Sequence, residues 1–287
     1  MNKRFSILRG QCRQVDGGQA FGTVPQKVWA NWLRPDHHNL IELPSSALLV
    51  QQEGRNILVL ASSDMLLAPL PRTCRCQNHT PSLLDSLAQA GLTEQDIDLV
   101  VLTHLQAQLD PQMQAAVVDG DMPRLLFPRA RYLVGEGHWQ RAQCPHPRDR
   151  KLFVRQILWR LEISGRLDII SGGRNEQLGA DWYLHVSDGF TPGQLLPEIR
   201  TSTGPILFAG DLIPGTHWLA LEVSSGFERN PEQVVEEKEQ LLDHLVANRG
   251  RVVLARDPQV VMAKITRDKK AQYQAYDTCT DLLRYEA

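Results

Sequence analysis

Asp96–Asp110, DIDLVVLTHLQAQLD, decides how the rest of the chain is read. Leu99–Thr103 is a short apolar run with two adjacent valines, too brief for a stable helix and without polar alternation. That pattern predicts a strand. His104 stands where the strand ends, and the polar residues Gln106 and Gln108 follow in what reads as a loop.

Six further runs of the same kind lie outward from it: Ala47–Val50, Ile57–Ala61, Tyr132–Val134, Trp182–Val186, Ile206–Ala209 and Val252–Ala255. Each is rich in aliphatic or aromatic residues and bounded by Gly, Pro, Asp or Arg, as strands are. Helical stretches separate them. Thr80 and Pro81 are placed to open one that Gly91 closes. A second is expected from Asp149 to Ile163, with Leu152, Phe153, Ile157, Leu158 and Leu161 at helical spacing. Asn230-Pro231 opens a third, and Gly250 stops it. Strands and helices alternate without a linker, repeat or compositional break, so one layered α/β domain over residues 1–287 is expected.

Composition narrows the class. With 42% apolar and 22% charged residues, the chain resembles ordinary soluble proteins that bury a core. A formal charge of −2 gives no global attraction to nucleic acid or an anionic membrane. No apolar run approaches the roughly 18 residues of a membrane span. The opening MNKRFSILRG lacks the apolar core of a signal peptide. Cys12, Cys74, Cys76, Cys144 and Cys279 are an odd, scattered set and form no disulfide framework. A reducing, cytoplasmic setting is expected, with neither nucleic acid nor membrane as partner.

Four strands finish in ionisable residues. Leu99–Thr103 leads to His104, Trp182–Val186 to Asp188, Ile206–Ala209 to Asp211, and Val252–Ala255 to Arg256-Asp257. Singly, such residues are turn-formers and caps. Together they suggest one rim of a layered sheet.

On these residues the chain resembles the metallo-β-lactamase superfamily. Asp96–Asp110 is similar to its signature strand and T-H-x-H-x-D-H loop. SDGFTPGQL (Ser187–Leu195) is similar to its G-H-T-P-G-H segment, FAGDL (Phe208–Leu212) to the strand before the metal-bridging aspartate, and LARDP (Leu254–Pro258) to its final H-D-P. Val15–Trp29 and Gly210–Leu242 resemble bacterial metallo-hydrolases near the quorum-quenching lactonases. The resemblance implies a four-layer αββα sandwich of two mixed sheets with outer helices, and a site at one edge of it.

The same resemblance shows what has changed. His104 matches the first signature histidine and Asp211 the bridging carboxylate. Gln106 stands at the second histidine, Gln108 at the aspartate, Leu109 at the last histidine, Phe190 at the histidine of the G-H-T-P-G segment, and Arg256 at the final histidine. A dinuclear site needs imidazoles and carboxylates to lower the pKa of a bridging water. Leucine and phenylalanine cannot ligate, glutamine is a weak neutral donor, and arginine brings a permanent cation. Where relatives carry D-T-G after a site-facing strand, Ala61-Ser62-Ser63 follows here and Asp64 is displaced. A guanidinium beside Asp211 would neutralise the carboxylate in place of a metal.

Other groups have blander readings. Cys74, Cys76 and His79 form a C-x-C-x-x-H cluster that reads first as a surface loop. His37-His38 follows Asp36 in a polar turn. His217 is placed either to reach the vestigial site or to hydrogen-bond within its own loop. His138, His146, His185 and His244 have no partner at telling spacing, and Asp257 reads as a supporting residue. The stretch Arg148–Lys151 reads as a solvated face.

Three functions follow as expectations. The first is a pseudo-hydrolase that has lost its dinuclear centre, needs no cofactor, and keeps a pocket for a small molecule or a protein partner. The second is a hydrolase of lactones or esters with an altered site. Either His104, Asp211 and His217 hold a single zinc, iron or manganese ion, or Arg256 stabilises an oxyanion without metal. The third is a subunit of a larger assembly, and a homodimer like that of many relatives is open.

Overall fold

A computed structural model describes residues 3–68, 82–109, 114 and 124–287. Asp110, Thr80, Pro81 and the cluster Cys74, Cys76 and His79 lie outside the described residues. Among the described residues there are fifteen strands. Seven form one sheet: β1 (Arg4–Arg9), β4 (Ser46–Gln52), β5 (Arg55–Leu60), β6 (Leu99–Leu102), β7 (Arg131–Gly135), β8 (Leu167–Ile170) and β15 (Tyr285–Glu286), in the order β15-β1-β4-β5-β6-β7-β8. Six form a second: β9 (Trp182–Ser187), β10 (Gln194–Ile199), β11 (Ile206–Phe208), β12 (Arg251–Val253), β13 (Met262–Arg267) and β14 (Tyr273–Cys279), running β14-β13-β12-β11-β10-β9. A short ribbon pairs β2 (Arg13–Asp16) with β3 (Leu40–Leu43).

Alternation along each strand sorts side chains into three apolar layers. On β6, Val100 and Leu102 face outward, under Leu83, Leu87, Ile157 and Leu161 of the covering helices. Leu99 and Val101 face inward, against Trp182, Leu195 and Phe208 of the second sheet. On the far side, Leu196, Leu207 and Val252 meet Val234, Leu242 and Leu245 of a long helix. Three cores separate four layers, the αββα order that the resemblance implied. Both sheets are mixed: β5, β6, β7 and β8 run parallel, as do β11 and β12, while the remaining pairs are antiparallel. Among the described residues no helix is long and apolar enough to cross a membrane, and Cys12, Cys144 and Cys279 are free thiols.

Six α-helices are described: α1 (Gly17–Phe21), α2 (Gln26–Trp29), α3 (Leu83–Gln89), α4 (Glu136–Gln143), α5 (Arg155–Ile163) and α6 (Pro231–Ala247). Helix α6 opens as expected, with Asn230 capping and Pro231 at its first position. Two expectations are corrected. Helix α3 is capped by Ser82, whose hydroxyl and Asp85 form a capping box, and not by Thr80. The stretch Asp149–Ile163 is not one helix. A single turn, Arg150–Leu152, is followed by extended residues before α5 begins. The loop after β6 takes the backbone groups a continuous helix would use. The Ala107 amide donates to the Leu152 carbonyl, and Gln106 bridges to Phe153.

Candidate functional site

Four strands end at one place. β5 and β6 are parallel neighbours in the first sheet, and β11 and β12 are parallel neighbours in the second, so their C-terminal ends converge at the sandwich edge. His104 lies just beyond β6, Asp211 beyond β11, Arg256 beyond β12, and Ser62 and Asp64 beyond β5. Cross-links fix the ends. The Thr103 hydroxyl donates to the Ala61 carbonyl at 2.6 Å, and the Ser63 hydroxyl donates to the Leu105 carbonyl at 2.7 Å. Ser46 joins the two sheets by donating its amide to the Ala255 carbonyl.

The site residues form one network. Arg256 Nε donates to Asp211 Oδ1 at 2.8 Å and Nη2 to Oδ2 at 3.2 Å. The same guanidinium donates to Ser45 Oγ at 2.6 Å and Ser62 Oγ at 2.9 Å. His104 Nε2 lies 3.0 Å from Asp211 Oδ2, while its Nδ1 is buried without a hydrogen-bond partner among the described residues. Burial alone would raise the Asp211 pKa. Arg256 and His104 outweigh it and hold the carboxyl well below the usual range. For Arg256 the balance is the mirror image: burial would lower its pKa, but the attraction of Asp211 raises it. A charged pair at this depth persists because each ion is the other's solvation.

Arg13, on β2, joins the same network and was missed in the sequence. Its Nη2 donates to Asp64 Oδ1 at 2.6 Å and also to the Ser62 hydroxyl. Burial, and then the nearby Arg256 cation, lower the Arg13 pKa. Asp64, displaced in sequence, is the counter-ion of this second guanidinium.

The substituted positions sit around this network. Gln106 is buried and donates its amide to the Thr191 hydroxyl at 3.2 Å. Phe190 is buried with its ring centroid 5.5 Å from that of His104. Gln108 lines the adjoining cavity, whereas Leu109 packs into the outer helical core. That cavity holds about 70 Å³ and is walled mainly by Phe190, Trp218, Phe227, Leu152 and Val15, with Arg13, His104, Asp211 and Arg256 at its polar end.

Other candidates resolve into structural roles. Asp257 Oδ2 accepts from the Thr216 amide and hydroxyl, and Oδ1 accepts from the amides of Gln259 and Val260. Asp188 accepts from the Gly193 amide. Neither carboxylate lines the cavity, so Asp188 and Asp257 form no acid–base pair there. His217 stacks on Trp32 at 4.9 Å and does not line the cavity. The alternative ligand set His104, Asp211 and His217 is therefore not assembled. Among the described residues no three His, Cys, Asp or Glu side chains converge as metal ligands. His37 and His38 stay in an exposed turn that Asp36 closes. The Arg148 amide faces the His146 ring. His185 and His244 both face Glu198 at 2.9 Å.

His138, which sequence reading left without a partner, holds the site together. Its Nε2 accepts from the Leu105 amide at 2.7 Å and its Nδ1 donates to the Pro192 carbonyl at 2.8 Å. It thus pins the loop after β6 to the Gly189–Gly193 loop. Burial, followed by the field of His104, pushes its pKa down to about 3, so the ring is neutral. Gly193 allows the close packing of the two segments: at φ +72°, an added Cβ would lie 2.1 Å from the His138 backbone nitrogen.

No protein-family profile matches the chain, and no curated protein matches it. Solved structures do. A probable metal-dependent hydrolase from Staphylococcus aureus superposes with a TM-score of 0.76 at 20% identity, over 96% of this chain and 98% of that one. Hydrolase AbOPH of the β-lactamase superfamily gives 0.71 at 16% identity, over 99% and 94%. AidC, a dizinc quorum-quenching lactonase, gives 0.70 at 16% identity, over 96% and 94%.

Proposed function

The chain has the metallo-β-lactamase fold, and we propose that it is a pseudo-hydrolase in which the Arg256–Asp211 pair replaces the metals and the adjoining cavity binds a small molecule. The observation that carries this is the two-pronged grip of Arg256 on Asp211. A dizinc lactonase needs a bridging carboxylate open to two cations. Here both Asp211 oxygens are engaged, one by Arg256 and the other by Arg256 and His104. A fixed guanidinium repels an incoming cation, and Gln106 and Phe190 supply no anionic or imidazole donor. The residues present do not fit a metal pair.

The geometry also weighs against a metal-free oxyanion role for Arg256. Four hydrogen bonds, to Asp211 twice, Ser45 and Ser62, occupy four of the five N–H groups a guanidinium has. A developing oxyanion would meet a cation already neutralised by Asp211. The cavity that remains, mostly apolar with a few converging polar groups, has the makeup of a ligand pocket.

Thermal unfolding tests the reading. A strong chelator should leave the melting temperature unchanged, and excess zinc or manganese should not raise it, since a ligand stabilises only what it binds. A library of small amphiphilic compounds should contain members that do raise it. A melting temperature that collapses on chelation and recovers with zinc would overturn the proposal.

A further inference from the structure

We propose that the cavity takes a small monocarboxylate with an apolar body, its carboxylate seated on Arg13. This rests on the reading above that the cavity binds a small molecule without metal, and adds the ligand's chemical class.

The charged groups on the wall carry the inference. Among the described residues, those lining the cavity with a fixed charge are Arg13, Arg256 and Asp211. Asp211 is engaged by Arg256, and Asp64, the counter-ion of Arg13, is not on the wall. It meets Arg13 from outside the cavity through Nη2.

The two arginines differ in what they have left to offer. Arg256 is spent on Asp211, Ser45 and Ser62. The hydrogen bonds of Arg13 all leave from Nη2, to Ser62 and Asp64, and its Nε is buried without a partner. Among the described residues the rest of this guanidinium is unpaired. A planar fork with unused N–H groups at the end of an apolar cavity matches a carboxylate in shape and charge.

A single guanidinium with N–H groups to spare matches a monoanion better than a phosphate dianion, which would need a second free cation. The other wall, with Phe190, Trp218 and Phe227, suits a short aliphatic body. About 70 Å³ admits only a small one.

Isothermal titration with acetate and propionate, set against acetamide and propionamide, tests this. The acids should bind at least about tenfold more tightly than the amides. Arg13→Gln strands Asp64, so the informative variant is Arg13→Gln with Asp64→Asn, which removes both charges; its melting curve reports that it folds. In that variant the preference for acids should vanish, while Arg13→Lys should retain part of it. Amides binding the wild type as tightly as acids would overturn the proposal and leave the pocket reading standing. Persistence of the acid preference in the double variant would remove Arg13 from it. No binding by any of the four compounds would overturn the proposal, and the chelation experiment would then decide the pocket reading separately.

Discussion

Arg256 and Asp211, at the ends of the adjacent parallel strands β12 and β11, face each other with Nε 2.8 Å from Oδ1 and Nη2 3.2 Å from Oδ2. The relationship is set by topology. Parallel neighbours bring their C-terminal ends to the same level, so whatever follows Val253 meets whatever follows Phe208. The resemblance puts a histidine at the position of Arg256 in metal-binding relatives, and the arginine here forms an ion pair instead. Ser45 and Ser62 from the first sheet extend the pair into a bond across the sandwich.

Arg256→Ala strands a carboxylate that is only 15% exposed. Removing one partner of a buried pair costs about 3–5 kcal/mol, which corresponds to a fall in melting temperature of roughly 10 °C. Arg256→Met with Asp211→Asn, which removes both charges, should recover most of that loss. A differential scanning calorimetry trace for Arg256→Ala that overlays the wild type would show that the pair does not hold the edge.

Ligand restoration separates missing donors from blocked space. Gln106→His with Phe190→His adds imidazoles beside His104 and Asp211 and leaves the guanidinium in place; this variant should bind no zinc. Adding Arg256→His should give a protein that binds close to one equivalent, read by equilibrium dialysis. Zinc held by the variant that keeps Arg256 would show that the arginine is no obstacle.

His138 sets an acid limit on stability. Its pKa is about 3 in the folded protein against 6.5 for a free histidine. Between those values the unfolded chain binds a proton that the folded chain refuses. Its contribution is therefore complete above about 6.5 and declines as pH falls toward 3, by roughly 1.4 kcal/mol per pH unit at most. Asp211, whose pKa is also lowered, contributes loss only below its ordinary value of 3.8. His217, lowered chiefly by burial, acts with the same sign as His138. His138→Gln should be less stable than wild type at neutral pH and should show a flatter decline between pH 6.5 and 4 in urea melts. An unaltered slope would remove His138 as the source.

The strands that position the site were legible because they are buried on both faces. Continuous apolar runs such as Leu99–Leu102 and Ile57–Leu60 need no partner to be recognised. Three of the strands that were missed break that pattern. β14 is an edge strand with mostly exposed residues. β10 contains Pro197, tolerated because β11 pairs only with Glu198 and Ile199. β2 is four residues long and polar, and it carries Arg13. Nothing near Arg13 in sequence marks it as a site residue, since its partner Asp64 is brought to it by the sandwich. The displaced Asp64 was the available signal: a carboxylate retained beside a relaxed site calls for a counter-ion. Arg256 was legible because it stands at a ligand position of a motif. His138 was not, because it acts by joining two loops far apart in sequence.

The central claim, that the Arg256–Asp211 pair takes the place of the metals, is tested most directly by the metal content of the purified, tag-free protein. Inductively coupled plasma mass spectrometry of wild type, His104→Ala and Asp211→Ala supplies the comparison. The account predicts under about a tenth of an equivalent of zinc, iron or manganese in all three, without dependence on either residue. Close to one equivalent in the wild type, lost in both variants, would contradict it and return the protein to the metal-dependent hydrolases.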